Sequence, residues 1–335
     1  MTSKSFQLIS FFVLILVSCS NDPLDVDIEG TTIPTRYIHL DSLFYNSKGK
    51  DLKQVHQMMI KEVPEIYEFE IGYCLRFGNL TDTALINGLN LFYADPYISR
   101  LQKRLKERFS NLTSVESDIN QGLRYLKTHF PKGLIPDHIV FMNSLFTANA
   151  FSTERQIGVG LERYLGVNTD VIKELPGQDF PIWMREAMDE QYMARDVLAS
   201  WIMTHYVEDK KGNLAEEMIK WGKILYLVRA AFPEKDPSWI MRYSKDDYKW
   251  ALENEYAFWK FLVDQKILFK TDEARSADMF KEGPFTPGLP KKGPDRLGQF
   301  LGLRIIESYM ANKEVELEEL INTPYTAILV EYEIE

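Results

Sequence analysis

Histidines are the residues of this chain best suited to metal or acid–base chemistry, and they are scattered. No histidine has another within four positions, so there is no His-Glu-x-x-His motif to place two imidazoles on one helix face for zinc. The sequence also has no Gly-x-Ser-x-Gly elbow and no phosphate-binding Walker loop. We therefore predict no catalytic residue, no metal and no cofactor, although a site built from scattered ligands stays open. The histidines are His39, His56, His129, His138 and His205.

A second candidate for chemistry is a polar stretch inside an otherwise helical pattern. Asp189 and Tyr192 are three residues apart, and Arg195 and Asp196 follow within the same turn. This spacing fits either the floor of a polar pocket or ion pairing on a solvated helix face, and we favour the second interpretation. Under the first interpretation, the residues of a binding cleft would be Tyr164, Asp189, Tyr192, Arg195, Tyr226 and Arg304.

The third candidate is Cys19, which stands at the end of a short apolar segment. Lys4 precedes an apolar run over residues 11–17 that is too short to span a bilayer as a stable helix. Ser18-Cys19 then resembles the bacterial lipobox, in which a small residue precedes a cysteine that is acylated and becomes the mature N-terminus. The alternatives are an uncleaved anchor and a plain signal peptide. Each buried CH₂ of an acyl chain contributes about 0.8 kcal/mol, so several chains on Cys19 would anchor the protein firmly.

The composition excludes several other classes of protein. The chain has 335 residues, of which 45% are hydrophobic and 26% charged, which is typical of a globular protein. Its formal net charge of −10 argues against a nucleic-acid partner, because phosphate binding needs clustered positive charge. Two cysteines exclude a disulfide-rich scaffold, and we interpret Cys74, in an apolar run, as a buried structural residue.

Helices dominate the predicted secondary structure that must position these residues. Strands are predicted over residues 137–142, 156–161 and 326–335, with the first two paired antiparallel. Gly298 and Gly302 should let a neighbouring helix pack closely. We predict an α+β, predominantly α-helical fold, a single compact helical domain with a small antiparallel sheet. Helical spacing of apolar residues covers residues 51–69, 82–93, 96–109, 114–127, 181–206, 213–232, 244–262, 294–312 and 314–322.

Several short motifs follow one another in a specific order along residues 35–323. They include Ile-Gly-Val-Gly at 157–160, Gly-Lys-Ile-Leu-Tyr at 222–226 and Pro-Asp-Arg-Leu-Gly at 294–298. In this order they resemble the gliding-motility lipoprotein GldB family of Bacteroidetes. The resemblance implies a lipid-anchored envelope protein that is required for gliding and has no established enzymatic activity.

That family is distantly similar to zinc peptidases of the His-Glu-x-x-His type, which implies a degenerate zinc-peptidase-like fold. The helix around residues 189–196 would then take the place of the metal-binding helix. This sequence has no histidine there, so an inherited cleft should bind peptide or protein without cutting it.

These observations lead to one main prediction and two rivals. The main one is a non-enzymatic, lipid-anchored protein of the gliding and associated secretion machinery, facing the periplasm. Its partners would be the membrane, through acyl chains on Cys19, and envelope proteins of the motility apparatus. The expected organisation is a signal peptide over residues 1–18, an acylated cysteine and tether over 19–35, and an α-rich domain over 36–335. The rivals are a metal-dependent, peptidase-like hydrolase with scattered ligands and a periplasmic ligand-binding lipoprotein.

Overall fold

The computed structural model describes residues 22–47, 50–210, 212–271 and 273–332, and most of these residues are helical. The mostly helical α+β architecture confirms the predicted fold class. The helices of the first half are α1 (Leu40–Asn46), α2 (Lys50–Glu62), α3 (Pro64–Phe69), α4 (Leu85–Ala94), α5 (Pro96–Arg108), α6 (Thr113–His129), α7 (Asp170–Lys173) and α8 (Ile182–Glu186). Those of the second half are α9 (Met193–His205), α10 (Leu214–Ala231), α11 (Pro237–Met241), α12 (Lys245–Glu253), α13 (Glu255–Asp264), α14 (Glu273–Phe280), α15 (Leu297–Asn312), α16 (Leu317–Asn322) and α17 (Tyr325–Leu329).

Four strands form one small mixed sheet in the order β1-β2-β4-β3. β1 pairs with β2 in parallel, β2 pairs with β4 in parallel, and β3 pairs with β4 antiparallel. The predicted antiparallel pairing of residues 137–142 with 156–161 is therefore wrong. The chain between these strands reverses twice, because it contains β3, so β4 returns in the direction of β2. The strands are β1 (Arg36–His39), β2 (His138–Met142), β3 (Ala150–Ser152) and β4 (Gln156–Gly160).

Other predicted elements also differ from the structure in type or continuity; the helix predicted over 244–262, for example, breaks at Asn254 between α12 and α13. The alternating segment after residue 325 forms α17 instead of a strand, because the turn that follows Pro324 packs against α10 and α15 and buries Ile328. Residues 333–335 of that prediction lie outside the described residues. The predicted helix over 181–206 is interrupted between α8 and α9, where Asp189 adopts an extended backbone and bridges to Leu165.

The sheet separates two hydrophobic cores of unequal size. Ile139 and Phe141 of β2 face the larger core, which α6, α9, α10 and α15 complete. Val140 and Met142, the alternate residues, face the smaller core built from α1 to α4. β2 is therefore buried on both faces, as expected for a strand between helical layers.

The segment predicted as a tether is packed against the helical body over its described part, residues 22–35. Leu24 is only 3% exposed and belongs to the larger core. Arg124 of α6 donates hydrogen bonds to the carbonyl oxygens of Thr31 (2.9 Å) and Ile28 (2.5 Å). Tyr125 donates its hydroxyl proton to Asp25 over 2.8 Å. We call residues 22–31 the N-terminal strap, since they are fixed along α6 and do not form a free linker.

Candidate functional site

The six residues predicted to line a cleft lie in two separate places. Tyr164, Asp189, Tyr192 and Arg195 surround the start of α9, where a 3₁₀ turn over Glu190–Tyr192 leads into the helix. The other two residues lie on α10 and α15, beside an open cleft; they are Tyr226 and Arg304.

At the first place, the carboxylate of Asp196 is the centre of a buried hydrogen-bond network. It accepts bonds from the hydroxyl of Tyr164 (3.0 Å), from Nη1 of Arg195 (3.0 Å) and from Nη1 of Arg242 (2.9 Å). The Asp196 residue is 7% exposed and Arg195 is 9% exposed. Burial, and then the adjacent Asp196 carboxylate, hold the pKa of Tyr164 well above its ordinary value, so its hydroxyl stays a donor.

Two arginines of this network have left-handed backbone conformations, which non-glycine residues seldom adopt. Arg242 has φ 54° and Arg296 has φ 50°. Arg242 donates from Nη2 to the carbonyl of Ala187 (2.5 Å), and Arg296 forms an ion pair with Asp295 (3.0 Å). Its Nη2 also donates to the carbonyl of Arg242 over 3.4 Å, which joins the two turns. Such conformations persist only where the surrounding contacts fix them.

This network corrects our interpretation of Arg195 as part of an ion pair on a solvated helix face. Charged side chains are rarely this buried unless they are paired, and here Asp196 supplies the pairing. Tyr192 lies under the guanidinium of Arg242, whose carbon is 4.8 Å from the ring centroid. Asp189 caps the 3₁₀ turn by accepting the Gln191 N–H over 3.0 Å. The four predicted residues therefore join α9 to the segments around Ala187 and Arg242.

At the second place, a cleft of about 680 Å³ opens between α10, α12, α13 and α15. Arg304 bridges two carboxylates, with Nε 2.9 Å from Glu255 and Nη1 2.6 Å from Glu307. Tyr332 donates its hydroxyl proton to Glu255 over 2.7 Å, and Arg229 pairs with Glu307 over 3.1 Å. This cleft can offer paired charges of both signs to a polar ligand or a protein surface.

The same cleft is connected to the N-terminal strap. Nη2 of Arg229 lies 3.0 Å from Oδ2 of Asp22, the first described residue. The guanidinium of Arg229 also lies over the ring of Tyr226, 5.8 Å from its centroid, so Tyr226 supports the cleft without lining it. The ion pairs of Arg229 therefore link residue 22 to α15 through Glu307.

A third polar cluster, which the sequence did not reveal, lies at the carboxyl ends of the parallel strands. Asp41 follows β1, Asn143 follows β2 and Glu162 follows β4, while Glu70 enters from a π-helical turn over Glu70–Cys74. Glu162 accepts the backbone N–H groups of Ser144 (3.0 Å) and Phe146 (2.8 Å). These N–H groups belong to a loop whose Leu145 and Phe146 both have positive φ.

Several carboxylate oxygens of this acidic cluster have no hydrogen-bond partner among the described residues. They include both oxygens of Glu70 and Oδ1 of Asp41. Burial, and then the charges of Asp41 and Glu162, raise the pKa of Glu70 well above its ordinary value. This environment favours the protonated, neutral form of Glu70. A parallel assignment of β2 and β4 would have pointed to this end of the sheet, where ligands of α/β proteins commonly bind.

Other predicted features can be placed just as directly. Cys74 is buried, as we expected, and its burial raises the pKa of the thiol to about 12. In the part of the chain that the structure describes, no group of three or more His, Cys, Asp or Glu residues could hold a metal ion. No helix within the described ranges is both long and apolar enough to cross a bilayer. Cys19 lies outside those ranges.

Comparisons with known proteins show the family of this chain. No curated protein and no solved structure matches the chain, so the likeness to zinc peptidases stays a prediction. The family model described as gliding motility protein GldB matches residues 21–333, which covers both the Asp196 network and the open cleft. The chain belongs to this GldB family of gliding motility lipoproteins.

Proposed function

We propose that the protein is a lipid-anchored component of the gliding and associated secretion machinery that acts by binding other envelope proteins and not by catalysis. In this proposal, acyl chains on Cys19 hold it in a membrane and its folded body faces the periplasm. The observation that carries the proposal is the family match, which begins at residue 21, two positions after Cys19, and continues to residue 333.

The Asp196 network supports a role as a rigid binding scaffold. Tyr164, Arg195 and Arg242 all donate to the same carboxylate, and Arg195 further donates to the carbonyl of Ile240 over 3.0 Å. These polar groups are occupied with one another, which favours a structural over a reactive role. A scaffold of this kind would hold its outer surface in a fixed shape for a protein partner.

The proposed anchoring can be tested by replacing Cys19 with Ala in a gliding bacterium that depends on this protein. We expect Cys19→Ala to leave the signal segment uncleaved, to change membrane fractionation and to abolish colony spreading. Cys74→Ala is the matched control, because it removes the other cysteine while leaving acylation intact. Normal spreading by a Cys19→Ala protein that is processed and fractionates as wild type would overturn the proposal.

The proposed protein-binding role needs a separate experiment. A photo-reactive amino acid placed at Met58 or Leu91, which are 41% and 75% exposed, would report neighbours in living cells. We expect one of these positions to cross-link a defined motility protein, and the same product to disappear when that protein is deleted. Cleavage of peptides by the purified body, sensitive to a chelator, would contradict the non-enzymatic role.

The open cleft favours a second candidate function, capture of a small polar ligand. Arg304 and Glu255 would offer paired charges to a zwitterion such as an amino acid or short peptide. Ligand binding stabilises the native state by mass action, so thermal unfolding with a panel of amino acids and short peptides tests this candidate. A melting temperature that does not rise with any of them would argue against it.

A further inference from the structure

We propose that the mouth of the open cleft rests on the bilayer that holds the acyl chains, so that Leu252 and Tyr256 lie at the lipid interface. This inference rests on the proposed acylation of Cys19 and adds an orientation to it. The occupant of this surface is the membrane itself.

The first step of the argument is the short chain between the lipid and the body. Only three peptide links connect Cys19 to Asp22. A chain of this length spans at most about 11 Å when it is fully extended. The lipid-bearing residue must therefore lie within that distance of Asp22, wherever the bilayer is.

The second step is that Asp22 is held on the body by contacts on both of its carboxylate oxygens. Its Oδ2 is 3.0 Å from Nη2 of Arg229, and its Oδ1 accepts the backbone N–H of Leu24 over 3.0 Å. The side chain of Leu24 is buried in the larger core, which fixes the strap immediately after Asp22. The surface around Arg229 is consequently the part of the body nearest to the attachment point.

The third step is the chemistry of that surface. Arg229 lines the open cleft together with Leu252 and Tyr256, which are 41% and 62% exposed. Tyrosine is enriched at membrane–water interfaces, because its ring enters the headgroup region while its hydroxyl stays hydrated. Leu252, exposed on the neighbouring helix α12, adds apolar area that a lipid interface would cover.

The test uses full-length acylated protein in vesicles of phosphatidylethanolamine and phosphatidylglycerol that contain a nitroxide-labelled phospholipid. A fluorophore is attached to a new cysteine made by Tyr256→Cys or, as the control, by Leu91→Cys. Leu91 is 75% exposed and lies on α4, in the layer of the smaller core. The buried Cys74 and the acylated Cys19 should not react with the dye. We expect roughly twofold or greater quenching of the residue 256 probe compared with the residue 91 probe, because only the former lies near lipid.

Two further measurements separate this inference from the proposed function. Asp22→Asn removes the charge that pairs with Arg229, so it should reduce quenching at residue 256 while the protein stays in the vesicles. Because Leu24 still holds the strap, the quenching should stay above the level at residue 91. Equal quenching at both positions in the acylated wild type would overturn the orientation and leave the anchoring intact. If a residue 256 probe were equally shielded in the soluble body that begins at residue 20, this surface would be assigned to a second copy of the chain, which would also overturn the orientation. Failure of the wild type to incorporate an acyl chain would instead contradict the proposed function.

Discussion

Gly222 of α10 faces Gly302 of α15, and a Cβ atom added to either residue would overlap the backbone of the opposite helix. The added Cβ on Gly302 would meet the carbonyl oxygen of Met218, one turn before Gly222. The sequence predicted close packing at Gly302, and the structure confirms it. Gly298, the other predicted position, instead allows α14 to approach, since its Cβ would lie 2.9 Å from the carbonyl oxygen of Met279.

Because the two backbones lie this close, we expect a single added methyl group to destabilise the protein. Gly302→Ala should lower the free energy of unfolding by about 1–3 kcal/mol, because the two helix backbones must separate to admit the side chain. Gly88→Ala in α4 is the control, since its added Cβ would meet only the movable ring of Phe77 at 3.1 Å. Urea unfolding of both variants measures the difference. Equal destabilisation by the two substitutions would show that the contact between α10 and α15 is not restrictive.

The network around Asp196 predicts a larger loss of stability. Asp196→Ala would leave Arg195 and Arg242 buried without their shared carboxylate, which should cost about 3–5 kcal/mol. Tyr164→Phe removes one hydroxyl donor but keeps both arginine pairs, so it should cost only about 1 kcal/mol. Chemical unfolding of the two variants, with Asp246→Asn on the exposed surface as a charge control, tests this ranking. A similar loss for Tyr164→Phe and Asp196→Ala would contradict the central position of Asp196.

The buried Glu70 predicts a dependence of stability on pH. Its pKa is raised in the folded state, first by burial and then by Asp41 and Glu162, so folding takes up a proton at pH values between the unfolded and the folded pKa. Stability from this group is fully present below the unfolded pKa of about 4.3 and decreases as pH rises, by about 1.4 kcal/mol per pH unit until the folded pKa is reached. Glu70→Gln, which mimics the protonated form, removes this dependence.

We therefore expect Glu70→Gln to be more stable than wild type at pH 8, with the difference shrinking toward zero near pH 4. Glu68→Gln on the exposed side of α3 controls for the loss of a formal charge. Thermal unfolding of the three proteins between pH 4 and pH 8 measures the effect. A difference that stays constant with pH, or that favours wild type at pH 8, would mean that Glu70 is ionised in the fold.

Because the N-terminal strap is packed on the body, we expect its residues to contribute to the stability of the fold. Leu24→Ala should destabilise the body by about 2–3 kcal/mol, because it removes a leucine side chain from the larger core. Leu134→Ala is the matched control, since Leu134 is 56% exposed. Unfolding of the soluble body from residue 20 onward would measure both. No change from Leu24→Ala would mean that the strap is a free linker in solution.

Local signals were sufficient to predict many of the helices. The helix predicted over residues 213–232 begins where Asn213 caps α10, since its side chain accepts the N–H of Glu216 over 3.0 Å. Ser244 likewise caps α12 by accepting the N–H of Asp247. Such caps depend on residues three positions apart, so they can be read directly from the chain.

Long-range features could not be predicted in the same way. β1 has only four residues, three of them polar or aromatic, and it is a strand because β2 provides a parallel edge. Arg195 gains its buried position through Asp196 and through the carbonyl oxygen of Ile240, 45 residues further along the chain. The acidic cluster joins Asp41 to Glu162 across the carboxyl ends of parallel strands. The antiparallel pairing predicted from the sequence would instead place the carboxyl ends of β2 and β4 at opposite edges of the sheet.

The most direct test of the proposed anchoring is the mass of the N-terminal peptide of the protein purified from membranes of the native host. We predict a mature chain that begins at Cys19 and carries a diacylglyceryl group on its sulfur. A mature chain that begins elsewhere, or an unmodified Cys19 in the membrane fraction, would contradict the account.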